Sequence, residues 1–146
     1  MLKNSKLEIR QLAGALGAEI LGADLSQDID GGTFEKIFAA LMEYGMVVIR
    51  EQDITPAQHK AFCQRIGDPL PVPFVKTLDD HPEIIAVIKE ADERTRMVFG
   101  GTWHTDFSFL AAPPKASCLY AREIPSFGGD TLFASMTKAY EALSPG

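Results

Sequence analysis

Cysteine and histidine are scarce in this chain, and each scarcity removes a class of chemistry. The two cysteines among 146 residues are Cys63 and Cys118, far apart and without C-x-x-C spacing. Neither a zinc ribbon nor a disulfide framework is therefore expected, and both thiols are expected to fill core space. The histidines are His59, His81 and His104, so any metal site built on imidazole has few residues to draw on. Long apolar runs are missing too. None approaches the roughly 18 residues that span a bilayer, and Met1 to Lys6 has neither the apolar stretch nor the cleavage site of a secretory leader. A soluble, cytoplasmic protein with no membrane partner is expected. Basic clusters are also absent: 14 Lys and Arg face 20 Asp and Glu, for a formal net charge of -6. Without a basic face there is nothing to neutralise phosphates, which excludes a nucleic-acid partner. What remains, at 46% hydrophobic and 23% charged residues, suits one globular domain over residues 1–146.

Short strands and helices alternate along the chain, with no internal repeat. Leu7 to Leu12 and Ala18 to Leu25 are predicted strands around a Gly14/Gly17 turn, with Gly22 as a bulge. Phe34, Ile37, Phe38, Leu41 and Met42 share one helical stripe that Gly45 closes, and Met46 to Ile49 suits a buried strand. Thr55-Pro56-Ala57-Gln58 combines a capping hydroxyl, a first-turn proline and a glutamine three residues on, a helix start that should run to Gly67. Prolines at 69, 71 and 73 make the next segment extended or looped. Ile84 to Ile88 is predicted as a central strand, and Glu90 to Arg96 as a surface loop. Ala116 to Glu123 and Thr131 to Phe133 are predicted extended, with a glycine turn over Ser126 to Asp130 and a last helix beginning near Ser135.

The chemistry concentrates in Trp103-His104-Thr105-Asp106. An imidazole and a carboxylate two residues apart share one face of an extended strand. A nonheme Fe(II) site uses two histidines and one carboxylate on one octahedral face, so His104 and Asp106 supply two of its three ligands. The alternative is a histidine hydrogen-bonded to a nearby carboxylate, and the H-x-D spacing alone does not separate the two.

The flanking residues add weight. Trp103 to Phe109, Pro113-Pro114, Glu123-Ile124-Pro125-Ser126 and Gly128-Gly129-Asp130-Thr131-Leu132 resemble the Fe(II)/2-oxoglutarate-dependent dioxygenases of the taurine dioxygenase (TauD/TfdA) family. Gly17 to Leu25, Val47 to Arg50 and the helix opening at Thr55 resemble them as well, so the likeness covers nearly the whole chain. It implies a mostly β, α+β fold with flanking helices and a partial double-stranded β-helix, or jelly-roll, core. It implies that His104 and Asp106 bind Fe(II), and that Thr131 contacts a carboxylate of the cosubstrate 2-oxoglutarate; the alternative for Thr131 is a turn-stabilising hydroxyl. The implied reaction consumes O2, decarboxylates 2-oxoglutarate to succinate and hydroxylates a small organic acid. Trp103, Phe107 and Phe109 are expected to pack in the core beside the site.

The family also uses a second histidine and a carboxylate-binding arginine from near its C-terminal end, and no matching motif is present. His59 lies on the apolar flank of the helix begun at Thr55 and is expected to pack there. His81 is expected in a turn before a strand, and no motif sets Arg50 or Arg122 opposite Thr131. Gly100 stands where taurine dioxygenases carry a substrate-holding asparagine, and residues 70–74 contain no histidine, so taurine is not the expected substrate. The chain accordingly reads as the N-terminal part of a dioxygenase domain, apparently truncated. Unpaired sheet edges favour a homo-oligomer, and the alternative function is a catalytically incomplete fragment that folds or self-associates.

Overall fold

The computed structural model describes residues 7–70, 75–90, 92–94 and 99–144. In order, the elements are β1 (Glu8–Gln11), β2 (Ala18–Leu21), α1 (Gly31–Tyr44), β3 (Val47–Val48), α2 (Pro56–Ile66), β4 (Thr77–Leu78), β5 (His81–Ile85) and α3 (Met136–Glu141). They fall into two compact units, one drawn from Met1–Asp53 with Ala121–Gly146, the other from Ile54–Tyr120. Among the described residues no helix is long and apolar enough to cross a membrane.

The first unit is organised by β2. Alternation along this strand buries Ala18 and Ile20, at 0% and 2% exposure, as a period of two requires when one face meets a core. β1 pairs antiparallel with β2, Ile9 opposite Ile20. The turn between them closes where Leu12 N–H donates to the Gly17 carbonyl at 2.9 Å. Gly17 has φ 99°, and a Cβ there would lie 3.0 Å from Met46 Cε, so both backbone and space call for glycine. β2 pairs parallel with β3, Ala18 opposite Val47. A parallel pair needs a crossover, and α1 supplies it.

Asp30 caps α1, its carboxylate accepting from Thr33 N–H at 2.9 Å and from Thr33 Oγ1–H at 2.7 Å, which gives a first-turn N–H the partner the helix itself lacks. The helix buries Ile37 and Ala40, packs on β2 and β3, and stops at Gly45, where φ is 69°. The expected stripe is thus rotated. Met42 is 58% exposed, and the small Ala40, which counts little on an apolar scale, takes the close approach to the sheet.

In the second unit α2 begins as expected, with the reciprocal Thr55 and Gln58 capping box formed. Gly67 ends it in an extended conformation, its N–H donating to the Cys63 carbonyl. β4 and β5 form a two-stranded sheet with an irregularity at Thr77/Leu78, and Lys60 of α2 pairs with Glu83 of β5 at 2.7 Å. Residues 115–120 lie along α2 in the opposite direction. Lys115 Nζ donates to the Ile66 carbonyl at 3.2 Å, the Cys118 backbone accepts from His59, and the Tyr120 hydroxyl accepts from Ile54 N–H at 3.3 Å.

Several expectations are corrected. Ile84 to Ile88 is not a central strand: β5 starts at His81 and stops at Ile85, and Val87 and Ile88 are 56% and 66% exposed. His81 is therefore a strand residue, 3.5 Å from Glu83, rather than part of a preceding turn. Ala116 to Glu123 and Thr131 to Phe133 have no ladder partner and form no strand, because an apolar run fixes extension but not what it pairs with. Helix and sheet are both present, as the expected mostly β, α+β class requires. Helices of 14, 11 and 6 residues nonetheless outweigh strands of 4, 4, 2, 2 and 5, and among the described residues the ladders make one three-stranded and one two-stranded sheet. The proline-rich Pro71 to Phe74, part of the Glu90 to Arg96 loop, and Met97-Val98 lie outside the described residues.

Burial holds His59 below the ordinary histidine range, partly offset by its hydrogen bond to the Cys118 backbone. In the unfolded chain the imidazole returns to about 6.5, so the unfolded state takes up the proton first as pH falls. The contribution of neutral His59 is therefore complete above that value and is lost as pH drops through the lower folded value. The melting temperature is expected to fall as pH drops below about 6.5, and His59→Leu is expected to make that slope shallower. An unchanged slope in thermal melts of the variant would contradict this assignment.

Candidate metal centre

Gly100 to Leu110 forms no strand, yet it brings the two sequence-picked ligands together. His104 Nε2 lies 3.2 Å from Asp106 Oδ1. The convergence comes from a tight loop rather than from the shared face of a strand. His104 Nδ1 reaches back to the Thr102 carbonyl at 2.7 Å, which fixes the ring. Phe107 then turns the chain through the left-handed region at φ 50°, a conformation uncommon for a bulky side chain. Gly100, at φ 70°, would place a Cβ only 3.2 Å from His104 Cε1, so glycine leaves room for the imidazole.

The hydrogen bonds decide what the pair offers. A carbonyl oxygen only accepts, so Nδ1 must carry the proton it donates to Thr102. With Nδ1–H so engaged, Nε2 is the ring nitrogen that faces a carboxylate oxygen, an arrangement that suits a cation between them. On the far side Ser117 Oγ donates to Asp106 Oδ2 at 2.6 Å, leaving Oδ1 to face the imidazole. Two metal bonds of about 2.1 Å at an octahedral right angle set their donor atoms about 3 Å apart. The observed 3.2 Å fits that spacing. Both side chains are half exposed, at 50% and 44%, so ions reach them from solvent.

The third position is not filled from nearby. Among the described residues no three His, Cys, Asp or Glu side chains are grouped to hold a metal. His59 is engaged with the Cys118 backbone and stands 6.1 Å, ring to ring, from Tyr120, while His81 stands beside Glu83. Arg50 is paired with Glu19 at 2.8 Å. Thr131 is exposed in an irregular stretch of the first unit that follows Gly128 and Gly129, both left-handed at φ 75° and 71°; the predicted glycine turn is therefore present.

The aromatic neighbours depart from expectation. Trp103 and Phe109 are 71% and 80% exposed, so they do not form a core beside the pair. Only Phe107 is half-buried, its ring 6.2 Å from that of Phe109. A loop with no sheet layer behind it gives such side chains nothing to pack against. Sequence reasoning also passed over Thr102 and Ser117. The first acts through its backbone and leaves no trace in residue type, whereas a serine set among Ala116, Cys118 and Leu119 was the signal for the second.

Known proteins share this sequence pattern. The family described as "Taurine catabolism dioxygenase TauD, TfdA family" matches residues 8–146. An alpha-ketoglutarate-dependent sulfate ester dioxygenase from Pseudomonas putida is 34% identical over 139 residues, covering 94% of this chain and 44% of the relative. An (S)-phenoxypropionate/alpha-ketoglutarate-dioxygenase from Sphingobium herbicidovorans is 31% identical over 138 residues, covering 93% and 47%. Among solved structures, a taurine dioxygenase from Burkholderia xenovorans superposes with a TM-score of 0.60 at 30% identity, over 73% of this chain and 37% of that one. The chain thus spans less than half the length of these curated relatives.

Groups that orient a metal-binding carboxylate typically affect affinity by about 10- to 100-fold. Ser117→Ala is expected to weaken Mn(II) binding to the His104/Asp106 pair within that range, read by the loss of the free Mn(II) electron paramagnetic resonance signal on titration. Unchanged affinity would show that the Ser117 hydroxyl does not hold Asp106 in place.

Proposed function

Because the chain belongs to the TauD/TfdA family, whose members are dioxygenases using Fe(II), 2-oxoglutarate and O2, we propose that it is the N-terminal part of one such enzyme. In this reading the reaction hydroxylates a small organic acid while 2-oxoglutarate is decarboxylated to succinate. The observation that carries it is the meeting of His104 Nε2 and Asp106 Oδ1 at 3.2 Å, with each residue held by a further hydrogen bond.

Bound iron supplies the oxidising chemistry, which no side chain here can perform. The chain's own residues prepare the ground for it. Donation from Nδ1–H to the Thr102 carbonyl keeps the Nε2 lone pair directed outward, as the partners of metal-binding histidines generally do. Asp106 would offset one positive charge of the metal, leaving net charge to attract a dianionic chelator. Thr131 would donate its hydroxyl hydrogen to a carboxylate oxygen of 2-oxoglutarate. The second histidine and the arginine belong, in this proposal, to the part of the relatives' length that the chain does not span. The same holds for the strands that complete a jelly roll as one domain with residues 1–146. The protein is assigned to the cytoplasm, with a small molecule as its partner rather than nucleic acid or membrane.

The substrate is proposed to be an organic anion larger than taurine. Gly100 offers no side-chain amide to a sulfonate, and the sulfate ester and phenoxypropionate dioxygenases are relatives named for such anions. Anaerobic titration with Fe(II) and 2-oxoglutarate tests the site. A visible charge-transfer band is expected, abolished in His104→Ala and requiring more 2-oxoglutarate in Thr131→Ala. No band at saturating iron would refute chelation by this chain.

One observation favours a second reading, an incomplete fragment that self-associates. Large apolar side chains stand exposed in each unit, including Leu119 at 70% in one and Phe127 at 88% and Leu132 at 70% in the other. Exposed apolar surface on this scale marks an interface, and a second copy is proposed to cover it. Light scattering after size exclusion is expected to report a dimer or larger species that dissociates on dilution; a monodisperse monomer across the concentration range would exclude self-association.

A further inference from the structure

Cys63 and Cys118, far apart in sequence and expected only to fill space, come near enough for each thiol to shift the acidity of the other. Their approach is fixed independently by the antiparallel course of residues 115–120 along α2. Lys115 binds the Ile66 carbonyl, the Cys118 backbone accepts from His59, and Tyr120 meets Ile54. Cys63 lies one helical turn beyond His59, so the same register that seats Cys118 against His59 also sets the sulfurs side by side. Both residues are half-buried rather than sealed, which leaves a route for a small oxidant.

We infer that Cys63 and Cys118 are a reversible dithiol site, oxidised by hydroperoxides to an intramolecular disulfide that ties α2 to the segment carrying Ser117. Within the pair Cys63 is the hydrogen donor, which pushes its thiol well above the ordinary range, while accepting that hydrogen bond lowers Cys118. Cys118 is therefore the sulfur that reaches the thiolate, the nucleophilic form. Its sulfur attacks the terminal oxygen of the hydroperoxide and breaks the O–O bond. The alcohol, or water from hydrogen peroxide, leaves with one proton, and Cys118 becomes a sulfenic acid. Cys63 then attacks that sulfur, the S–O bond breaks, and the hydroxide departs as water with the Cys63 proton. The sum is two thiols and one hydroperoxide giving one disulfide, one alcohol and one water; the sulfurs lose two electrons and the peroxide gains them.

The location gives the bond a consequence. Ser117, which holds Asp106 at 2.6 Å, precedes Cys118 directly, so a disulfide at Cys118 restrains the backbone that presents the hydroxyl to the metal ligand. This inference rests on the nearness of the two thiols and stands whether or not the chain binds iron.

The test is intact-mass and peptide analysis of the reduced protein after exposure to stoichiometric hydrogen peroxide. The expected result is loss of two hydrogens, simultaneous loss of both alkylatable thiols, and a Cys63–Cys118 cross-linked peptide that dithiothreitol reverses. Slower amide exchange over residues 115–120 is expected in the oxidised form. Cys63→Ser is expected to stop at a Cys118 sulfenic acid that dimedone captures, whereas Cys118→Ser leaves Cys63 as a thiol. Oxygen added to each cysteine separately, or disulfides only between molecules, would overturn the inference. The unsubstituted protein alone decides between these outcomes, so it stays testable if either variant fails to fold.

Discussion

The antiparallel docking of residues 115–120 on α2 is the constraint on which the second unit depends. It is built from unlike contacts at successive turns of the helix. At the C-terminal end the Lys115 ammonium meets the Ile66 carbonyl, where the helix leaves acceptors unpaired and its dipole favours a cation. In the middle the Cys118 backbone offers an acceptor to the half-buried His59 ring, whose Nε2 has no hydrogen-bond partner among the described residues. At the N-terminal end the Tyr120 hydroxyl takes one of the N–H groups just outside the capping box. With those anchors set, Ser117 falls within reach of Asp106 and Cys118 within reach of Cys63. The metal pair and the thiol pair are two results of one register.

That register shows where sequence reading succeeds and where it stops. The α2 start was legible because Thr55, Pro56 and Gln58 act on one another within a single turn, and the Gly45 stop was legible for the same reason. The β1 and β2 pair was legible because a short glycine turn leaves the strands little choice of partner. His104 and Asp106 were found because their contact spans two residues, although the loop that makes it is not the strand that spacing suggested. Ser117 to Asp106 and Cys63 to Cys118 join distant segments. No local pattern encodes such contacts: residue type told that a hydroxyl and two thiols existed but not what they would meet. The same blindness explains the lost strands at Ala116 to Glu123 and Thr131 to Phe133. Extension is a property of the run, whereas a ladder is a property of two runs.

Exposure carries a related lesson. Trp103, Phe109 and Phe127 are residues whose burial is worth a few kcal/mol each, and on a complete globular surface few of them would face water. Here they do, at 71%, 80% and 88%. Their composition therefore speaks for a covering layer, while the sheets among the described residues, of three and two strands, are too small to provide it. The first unit manages a true core with Ala18, Ile20, Ile37 and Ala40 because a parallel βαβ crossover closes on itself. Among the described residues of the second, Ile54 alone is buried, and directional hydrogen bonds carry the rest.

This division bears on how far two side chains of one unit can be held ready for a cation. A ligand set gains affinity when its members are already held in place, since the ordering cost is met by folding rather than by the ion. The His104/Asp106 pair meets that condition within its own unit: Thr102, Gly100 and Ser117 all lie in Ile54–Tyr120, and none needs a distant strand. A third ligand from elsewhere would then add a bond to a site already formed rather than assemble one. A pair that is held in place yet half exposed remains open to water, so two such donors do not by themselves select one divalent ion over another.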